Sequence, residues 1–211
     1  MAKPRRSDGE KTREHISRTA LRCFMDLGPA KTTLVEIAKR AKLRPSLVHY
    51  YFPSTETLFH EVVNVVLVEF REDVLRAVDE NIEDPVQAMA DYVMAHFETA
   101  RKSPKLFSVW LYFYYEASFN PAIAALNTRI RDQGRNRIEM LIYKGMAKKG
   151  FRVSDSVDVR TLALEIQSMI NGAWVMPFTE TNCDFERLSR ATVARVLAML
   201  GATKKGMRAS R

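Results

Sequence analysis

Basic side chains are concentrated at the N-terminal end of this 211-residue chain. Residues 1–55 carry 12 Lys or Arg and five Asp or Glu, a net charge of +7, whereas residues 56–211 carry 21 and 20, a net charge of +1. Ammonium and guanidinium groups in such excess bind the phosphates of a polyanion. The asymmetry therefore favours a nucleic-acid partner for the N-terminal quarter, and a solvated basic face without a partner is the alternative.

The residue types that carry catalysis and metal binding do not form a motif. The two cysteines are too far apart for a CxxC site or a disulfide framework, and no glycine-rich phosphate loop, nucleophile elbow or paired-carboxylate signature is present. The histidines stand at unrelated intervals without an HxxxH or HExxH pattern: His15, His49, His60 and His96. We expect a protein that is not an enzyme, with no cofactor and no metal site.

Export and membrane signals are also missing from the sequence. The basic N-terminus is not followed by an apolar run, and no uninterrupted apolar segment approaches the roughly 20 residues that span a bilayer. Cys23 falls at an apolar helical position and Cys183 lies near a helix start. Unpaired cysteines and the absence of a leader predict a cytoplasmic protein.

Two short helix signals in residues 32–52 could present the basic groups to a duplex. Thr33 and Glu36 form the capping-box pattern of a helix start, and Pro45 suits the first position of a second helix after a three-residue break. The apolar positions of the two helices are Leu34, Ile37, Ala38 and Ala41, then Leu47, Val48, Tyr51 and Phe52. Helices this short must pack on neighbours, so we expect a helix-turn-helix whose second helix keeps one face free for DNA.

A first helix precedes this pair and a long helix follows it. Ser7 and Glu10 form a capping box for the first helix, which Gly28 and Pro29 end. Residues 1–6 are expected to form a basic arm. Ser54 is the predicted cap of the long helix, which runs through residues 58–78.

The remaining sequence predicts helices and no strands. Three starts place a polar cap before proline and predict helices over 85–101, 104–118 and 121–149: Asp84–Pro85, Ser103–Pro104 and Asn120–Pro121. Gly150 is expected to end the third of these helices. Ser154 or Asp155 could cap a helix over 156–178, and Asp184 one over 185–200. The basic tail, residues 201–211, is expected to be disordered.

These elements predict an all-α protein with two domains and a tail. Residues 1–55 would form a three-helix DNA-binding domain that contains the helix-turn-helix. Residues 56–200 would form a second helical domain, and residues 201–211 the tail. The first domain carries nearly all of the net charge.

A pattern of residues around the helix-turn-helix resembles the TetR family of bacterial transcriptional regulators. The matching positions agree in order and spacing: Gly28, Thr32, Thr33, Ile37, Ala38, Ala41, His49, Tyr50, Tyr51 and Phe52. The resemblance implies that residues 56–200 form an effector-binding and dimerisation domain. It also implies a homodimeric repressor that binds a palindromic operator in double-stranded DNA and is released by a small-molecule effector. An architectural DNA-binding protein without effector control is the alternative.

The resemblance also implies which residues face DNA, with Thr33 and Tyr50 on phosphates and the first turn of the second helix on base edges. The full set is Thr33, Lys42, Arg44, Pro45, Ser46, Leu47, His49, Tyr50 and Thr55. Three positions depart from the family. Lys42 replaces the turn glycine, where a positive φ would cost energy; residues 44–46 replace a capped, glycine-containing start; and Thr55 replaces a lysine. Aromatic core packing is the alternative for residues 50–52 and is preferred for Tyr51 and Phe52.

Aromatic residues in the second half of the chain could line an effector site. Rings from several helices could form an apolar cavity, or a cage for a cationic amine with Glu116 as its counter-charge. The candidates are Trp110, Phe113, Tyr114, Glu116, Asn171, Trp174 and Phe178. Plain core packing is the alternative. The segment Asn171–Trp174 resembles the Asp-Gly-Leu-Trp region of the BetI-type subgroup, which is linked to choline, but Asn171 replaces the acidic residue.

Two helices near the C-terminus carry apolar stripes that could pair across a two-fold axis. They are predicted over residues 160–178 and 185–200, and in the resembling family such helices form a four-helix bundle between two subunits. A symmetric dimer would place two recognition helices roughly 34 Å apart on the duplex. Closure of the monomer's own core is the alternative.

Overall fold

The computed structural model describes residues 7–79, 83–102 and 104–202, and these form nine α-helices and a short 3-10 turn. The helices are α1 (Asp8–Leu27), α2 (Leu34–Ala41), α3 (Pro45–Tyr51), α4 (Thr55–Asp79), α5 (Pro85–Lys102), α6 (Leu106–Ala117), α7 (Pro121–Ala147), α8 (Val159–Thr179) and α9 (Phe185–Met199), with the 3-10 turn at Pro29–Lys31. The all-α prediction is confirmed. The predicted arm at 1–6, the Ser103 cap and residues 203–211 of the tail lie outside the described residues.

The chain divides into two compact units. One comprises Met1–Glu69 with Lys105–Ala124, and the other comprises Phe70–Pro104 with Ala125–Arg211. Helix α6 therefore belongs to the same unit as α1–α3, although its residues fall within the predicted second domain. The functional boundary after residue 55 stays a prediction.

The first unit is held by an apolar core to which α1, α2, α3, α4 and α6 contribute. The core residues of α1 and α2 recur at helical spacing and are buried, because the short helix α2 packs against the longer α1 and α3 packs against α2. Its buried side chains include Ile16, Cys23, Phe24, Ile37, Val48, Phe52, Leu58, Val62 and Phe113. This packing stabilises two helices that are too short to persist alone.

The second unit has a core of its own, which α5, α7, α8 and α9 build together with Val74 and Val78 of α4. Helix α5 packs against both α8 and α9, and these two pack against each other. Its fully buried members include Met89, Phe97, Ile138, Leu141, Ile142, Ile166 and Val196. None of the described helices is both long enough and apolar enough to cross a bilayer.

Polar caps start most of these helices where the sequence predicts them. Ser7 and Glu10 form the expected reciprocal capping box of α1. The other predicted caps that accept from first-turn backbone N–H groups are Thr33, Ser54, Asp84, Asn120 and Asp184. The capping box expected at α2 is formed only in part, because the Glu36 carboxylate accepts a hydrogen bond from Arg40.

Three predicted helix ends are wrong. Helix α8 begins at Val159, because Asp158 accepts from the N–H groups of Arg160 and Thr161, whereas Ser154 bonds to Ser156 within the preceding turn. Helix α6 begins at Leu106 and not at Pro104. Helix α7 ends at Ala147, because the chain turns at Lys149, which has a φ of 58°, before it reaches Gly150.

Candidate nucleic-acid interface

The turn between α2 and α3 depends on a lysine in a left-handed conformation. Lys42 has φ 58° and ψ 38°, a region that glycine enters freely and that costs other residues energy. The turn is closed by hydrogen bonds from the N–H of Lys42 to the carbonyl of Lys39 (3.2 Å) and from the N–H of Leu43 to that of Ala38 (3.0 Å). Two helix-end carbonyls are satisfied in this way, so the strained residue fixes the direction in which α3 leaves.

Helix α3 buries one side and exposes the rest. Val48 and Phe52 are completely buried, whereas Tyr50 is 79% exposed. Tyr51 is half-buried. Leu47 is 36% exposed, so its predicted burial is wrong: in a helix of seven residues, the side that carries Leu47 and Tyr50 lies at the surface while Val48 is buried.

Side chains from α1 and α4 hold the base of α3 in position. The guanidinium of Arg13 lies 4.8 Å from the centre of the Phe52 ring and donates to Glu61 of α4 at 3.1 Å. A ring nitrogen of His15 lies 3.0 Å from the carbonyl of Ala41 at the end of α2. These contacts, together with the buried Val48, restrict the rotation of α3 on its support.

The predicted contact residues of α2, the turn and α3 lie at the surface of the first unit. All of these side chains are exposed: Thr33, Lys42, Arg44, Pro45, Ser46, Leu47, His49 and Tyr50. Thr55 is half-buried at the first position of α4, where Ser54 supplies the cap. Arg44 occupies the N-cap position of α3 without a side-chain capping bond, so its guanidinium can reach outward.

The acidic side chains near this surface pair with Arg40 and not with Lys42 or Arg44. Asp26 and Glu36 both pair with Arg40, at 3.1 and 2.9 Å. Among the described residues, no carboxylate lies within ion-pair distance of Lys42 or Arg44. An exposed cation without an internal partner can neutralise a phosphate and release its counterion.

One exposed apolar residue was not among the predicted contacts. Val35 lies in the first turn of α2, two residues after the Thr33 cap, and is 62% exposed. A branched side chain in water beside a helix start can contact a thymine methyl group. Val35 does not lie on the apolar face of α2, and this position in the sequence could have identified it as an exposed contact residue.

Comparison with known proteins places this surface in a family. Residues 16–62 match the family described as bacterial regulatory proteins, tetR family. Residues 85–202, more than half of the chain, match the family described as BetI-type transcriptional repressor, C-terminal. The chain is a BetI-type member of the tetR family. It is therefore a transcriptional regulator, and its helix-turn-helix lies inside the first match.

Individual relatives of this tetR-family protein agree with the assignment. The HTH-type transcriptional regulator BetI of Stenotrophomonas maltophilia is 25% identical over 77% of this chain and 79% of its own. The BetI regulator of Rhizobium meliloti is 29% identical over 54% of this chain and 56% of its own. A transcriptional regulator from Saccharomonospora viridis, crystallised in complex with choline, shares the fold with a TM-score of 0.80 at 22% identity, over 92% of this chain and all of the other.

The predicted effector residues of this tetR-family protein fall into both units. In α6, the rings of Trp110, Phe113 and Tyr114 lie 5.8–6.3 Å apart by their centres, and Phe113 is buried. Burial and a hydrogen bond to the Glu116 carboxylate raise the pKa of Tyr112 to about 12. In α8, the half-buried Asn171, Trp174 and Phe178 belong to the second unit, where Trp174 packs on the core. A shared effector site stays a prediction.

The potential metal ligands of this regulator are dispersed within the described part of the chain. Within residues 7–79, 83–102 and 104–202, no group of three or more His, Cys, Asp or Glu side chains is close enough to hold a metal ion. Cys23 is buried in the first unit, and Cys183 is half-buried before α9. Burial raises the pKa of the Cys23 thiol, which makes it a weak ligand and nucleophile.

Proposed function

We propose that this chain is a homodimeric repressor that binds a palindromic operator through α3 and loses affinity for DNA when a small molecule binds. The observation that carries the proposal is the exposed side of α3, a helix anchored by two buried residues and bordered by Lys42 and Arg44, which form no ion pair within the described part of the chain. A helix of this size fits the major groove. Membership of a family of transcriptional repressors supports the same reading.

Each exposed side chain has a role that its chemistry allows. Arg44 can donate two hydrogen bonds to the O6 and N7 of guanine or bind a phosphate. The Thr33 hydroxyl accepts from the backbone N–H of Glu36 at 3.2 Å, which leaves its proton free to donate to a phosphate oxygen. Tyr50 and Lys42 would also bind phosphates. Pro45 and Leu47 would contact thymine methyl groups, and Ser46 and His49 would reach base edges.

Selection from a random pool of DNA duplexes tests the DNA-binding part of the proposal. The purified chain should enrich one sequence made of two inverted half-sites, and footprinting should show saturable protection of both. An architectural protein would enrich no sequence. It would also give binding that falls with salt equally on every duplex.

The effector would act by favouring a form of the dimer that does not fit the operator. A ligand can shift this equilibrium only by its difference in affinity for the two forms. A switch from 1:99 to 99:1 requires about 5.5 kcal/mol. The aromatic residues of α6 and α8 are the candidates that would supply this binding energy.

Choline is the first compound to test, because a regulator of the same fold was crystallised with it. A quaternary ammonium ion binds aromatic faces through cation–π attraction. The measurement is the operator affinity with and without the compound, followed by a wider set of cationic and apolar small molecules. Trp110→Ala and Trp174→Ala should each abolish the response of a folded protein, and a response that survives both changes would place the site elsewhere.

A further inference from the structure

The peptide group between Ala41 and Lys42 is held from both sides. Its N–H, which belongs to Lys42, donates to the carbonyl of Lys39 at 3.2 Å. Its carbonyl, which belongs to Ala41, lies 3.0 Å from the Nε2 atom of His15 in α1. A carbonyl oxygen can only accept a hydrogen bond, so the Nε2 atom carries the proton and donates. The imidazole of His15 therefore supplies a partner that the last carbonyl of α2 cannot find within its own helix.

The plane of this peptide group determines the backbone angle of the strained residue. The φ angle of Lys42 is the rotation about the bond between its nitrogen and its Cα, and its value is 58°. A lysine without restraint would rotate toward negative φ, where its Cβ meets fewer clashes. The chain after Lys42 would turn with that bond, so α3 would leave α2 in a different direction. The hydrogen bond from His15 opposes this rotation.

Helix α1 places His15 at the end of α2. The next residue, Ile16, is completely buried, and α1 packs against α2, so the rotation of α1 about its own axis is fixed. Two residues before His15, the guanidinium of Arg13 lies 4.8 Å from the centre of the Phe52 ring. Neighbouring residues of α1 thus contact the end of α2 and the residue that directly follows α3. One segment of α1 holds both sides of the turn.

We propose that His15 is a positioning residue for operator recognition: its hydrogen bond to Ala41 offsets the backbone strain of Lys42 and so sets the angle at which α3 meets the base edges. The inference rests on the proposed function, since it assigns a further residue to the same DNA-binding site. Base contacts require one orientation of α3, whereas phosphate contacts carry no sequence information. Loss of the bond should therefore reduce selectivity more than general affinity for DNA.

Hydrogen exchange of the full chain without DNA tests the effect of His15 on the turn. His15→Leu removes the donor, so the Lys42 amide should exchange at least about fivefold faster, the effect usual for one hydrogen bond. The Ile37 amide, which donates to Thr33 at 3.0 Å at the start of the same helix, should keep its rate. His15→Gln carries an N–H donor and should recover most of the protection. His15 is exposed, so both variants should fold. An unchanged Lys42 rate in His15→Leu would overturn the proposal.

Affinities for the operator and for a scrambled duplex of equal length measure the selectivity. His15→Leu should bind the operator at least about fivefold more weakly and the scrambled duplex within about twofold of the wild type, and His15→Gln should restore the difference. Equal losses on both duplexes would show that His15 only supports the fold. His60→Leu is the matched control in the same unit, because the Nε2 atom of His60 has no hydrogen-bond partner among the described residues. It should bind both duplexes like the wild type.

Removal of the strain tests the link between His15 and Lys42. Glycine adopts a φ of 58° without a Cβ clash, so Lys42→Gly leaves no strain for His15 to offset. In this background, His15→Leu should change operator affinity by no more than about twofold, so the two changes should not be additive.

Lys149→Gly is the control background, because Lys149 has the same φ but lies in the second unit. There His15→Leu should cost the full loss of about fivefold. A loss of the same size in the Lys42→Gly background would refute the link while the protein remains a DNA-binding regulator. If the wild type binds no duplex selectively, the proposed function fails, and the role of His15 in recognition fails with it.

Discussion

Lys42 has a strained backbone conformation in the turn between α2 and α3. Its φ of 58° and ψ of 38° lie in the left-handed region, which costs a side chain with a Cβ about 1 kcal/mol or more. We expect Lys42→Gly to raise the free energy of unfolding by about 0.5–1 kcal/mol, after the greater freedom of glycine in the unfolded chain is counted. Urea denaturation measures the change.

The same substitution should weaken operator binding, because it removes a cation from the proposed DNA surface. Lys149→Gly is the matched control: Lys149 also has a φ of 58° but follows α7, in the second unit. It should gain similar stability with unchanged operator affinity. A Lys42→Gly protein that binds operator as tightly as the wild type would remove Lys42 from the contact set.

Arg44 is the residue whose loss should change DNA binding with the least effect on the fold. Its side chain makes no capping bond at α3 and no ion pair among the described residues. Arg44→Ala should reduce operator affinity by about 1–3 kcal/mol and relax one base preference if Arg44 reads a guanine. If Arg44 binds a phosphate, all sequences should weaken together and the salt slope should fall by about one.

Titration of DNA binding at several salt concentrations separates these two outcomes. Arg160→Ala is the control, because Arg160 is an exposed arginine at the start of α8. It loses the same charge and should bind operator normally. Equal affinities for Arg44→Ala and the wild type would show that Arg44 does not belong to the reading surface.

At the scale of the helices, the caps were the most predictable feature. Ser7, Asp84, Asn120 and Asp184 are good acceptors that directly precede a helical pattern, and local hydrogen bonding decides such starts. Before α8 the sequence offers several acceptors within five residues. Only the path of the chain, which turns through the bond between Ser154 and Ser156, selects Asp158.

Two features of the candidate sites could not be read from local pattern. The exposure of Leu47 depends on which side of a seven-residue helix finds a neighbour. The packing of α6 with α1 depends on contacts between residues about 80 positions apart, such as Lys105 and Asp26. Hydrophobic periodicity identifies a buried face but not the element that covers it.

The cap of α8 makes a prediction about pH. Hydrogen bonds from the side chain and the N–H of Thr161 lower the pKa of the Asp158 carboxyl below its ordinary value of 3.8. A lowered folded-state pKa contributes stability above the unfolded value, and this contribution is lost as the pH falls through the folded value. Asp158→Asn keeps a capping oxygen but cannot titrate.

The wild type should therefore be more stable than Asp158→Asn at neutral pH, and the difference should shrink as the pH falls below about 4. Thermal unfolding over this pH range measures it. Asp155→Asn is the control, because Asp155 is exposed and caps none of the described helices. A difference that stays constant across the range would show that the Asp158 charge does not stabilise α8.

At the scale of the whole molecule, the proposed dimer would present two basic N-terminal domains to one DNA duplex. The +7 of residues 1–55 would be doubled in a dimer, and both copies would approach the same duplex. Two linked half-sites bind far more tightly than one, because the second contact forms within the same complex. Operator affinity should therefore depend on residues of α8 and α9 that do not contact DNA.

Leu164 tests this dependence directly. It lies on α8, is 45% exposed in the single chain, and is proposed to be covered by the partner subunit. Light scattering should give twice the chain mass of 24.2 kDa for the wild type and the single mass for Leu164→Asp. The variant should keep its helical content but lose at least about tenfold in operator affinity, since each subunit then holds one half-site alone.

Leu111→Asp, a change at a comparably exposed leucine of α6, should leave the dimer intact. A wild-type protein of 24.2 kDa that binds the full operator would refute the dimer.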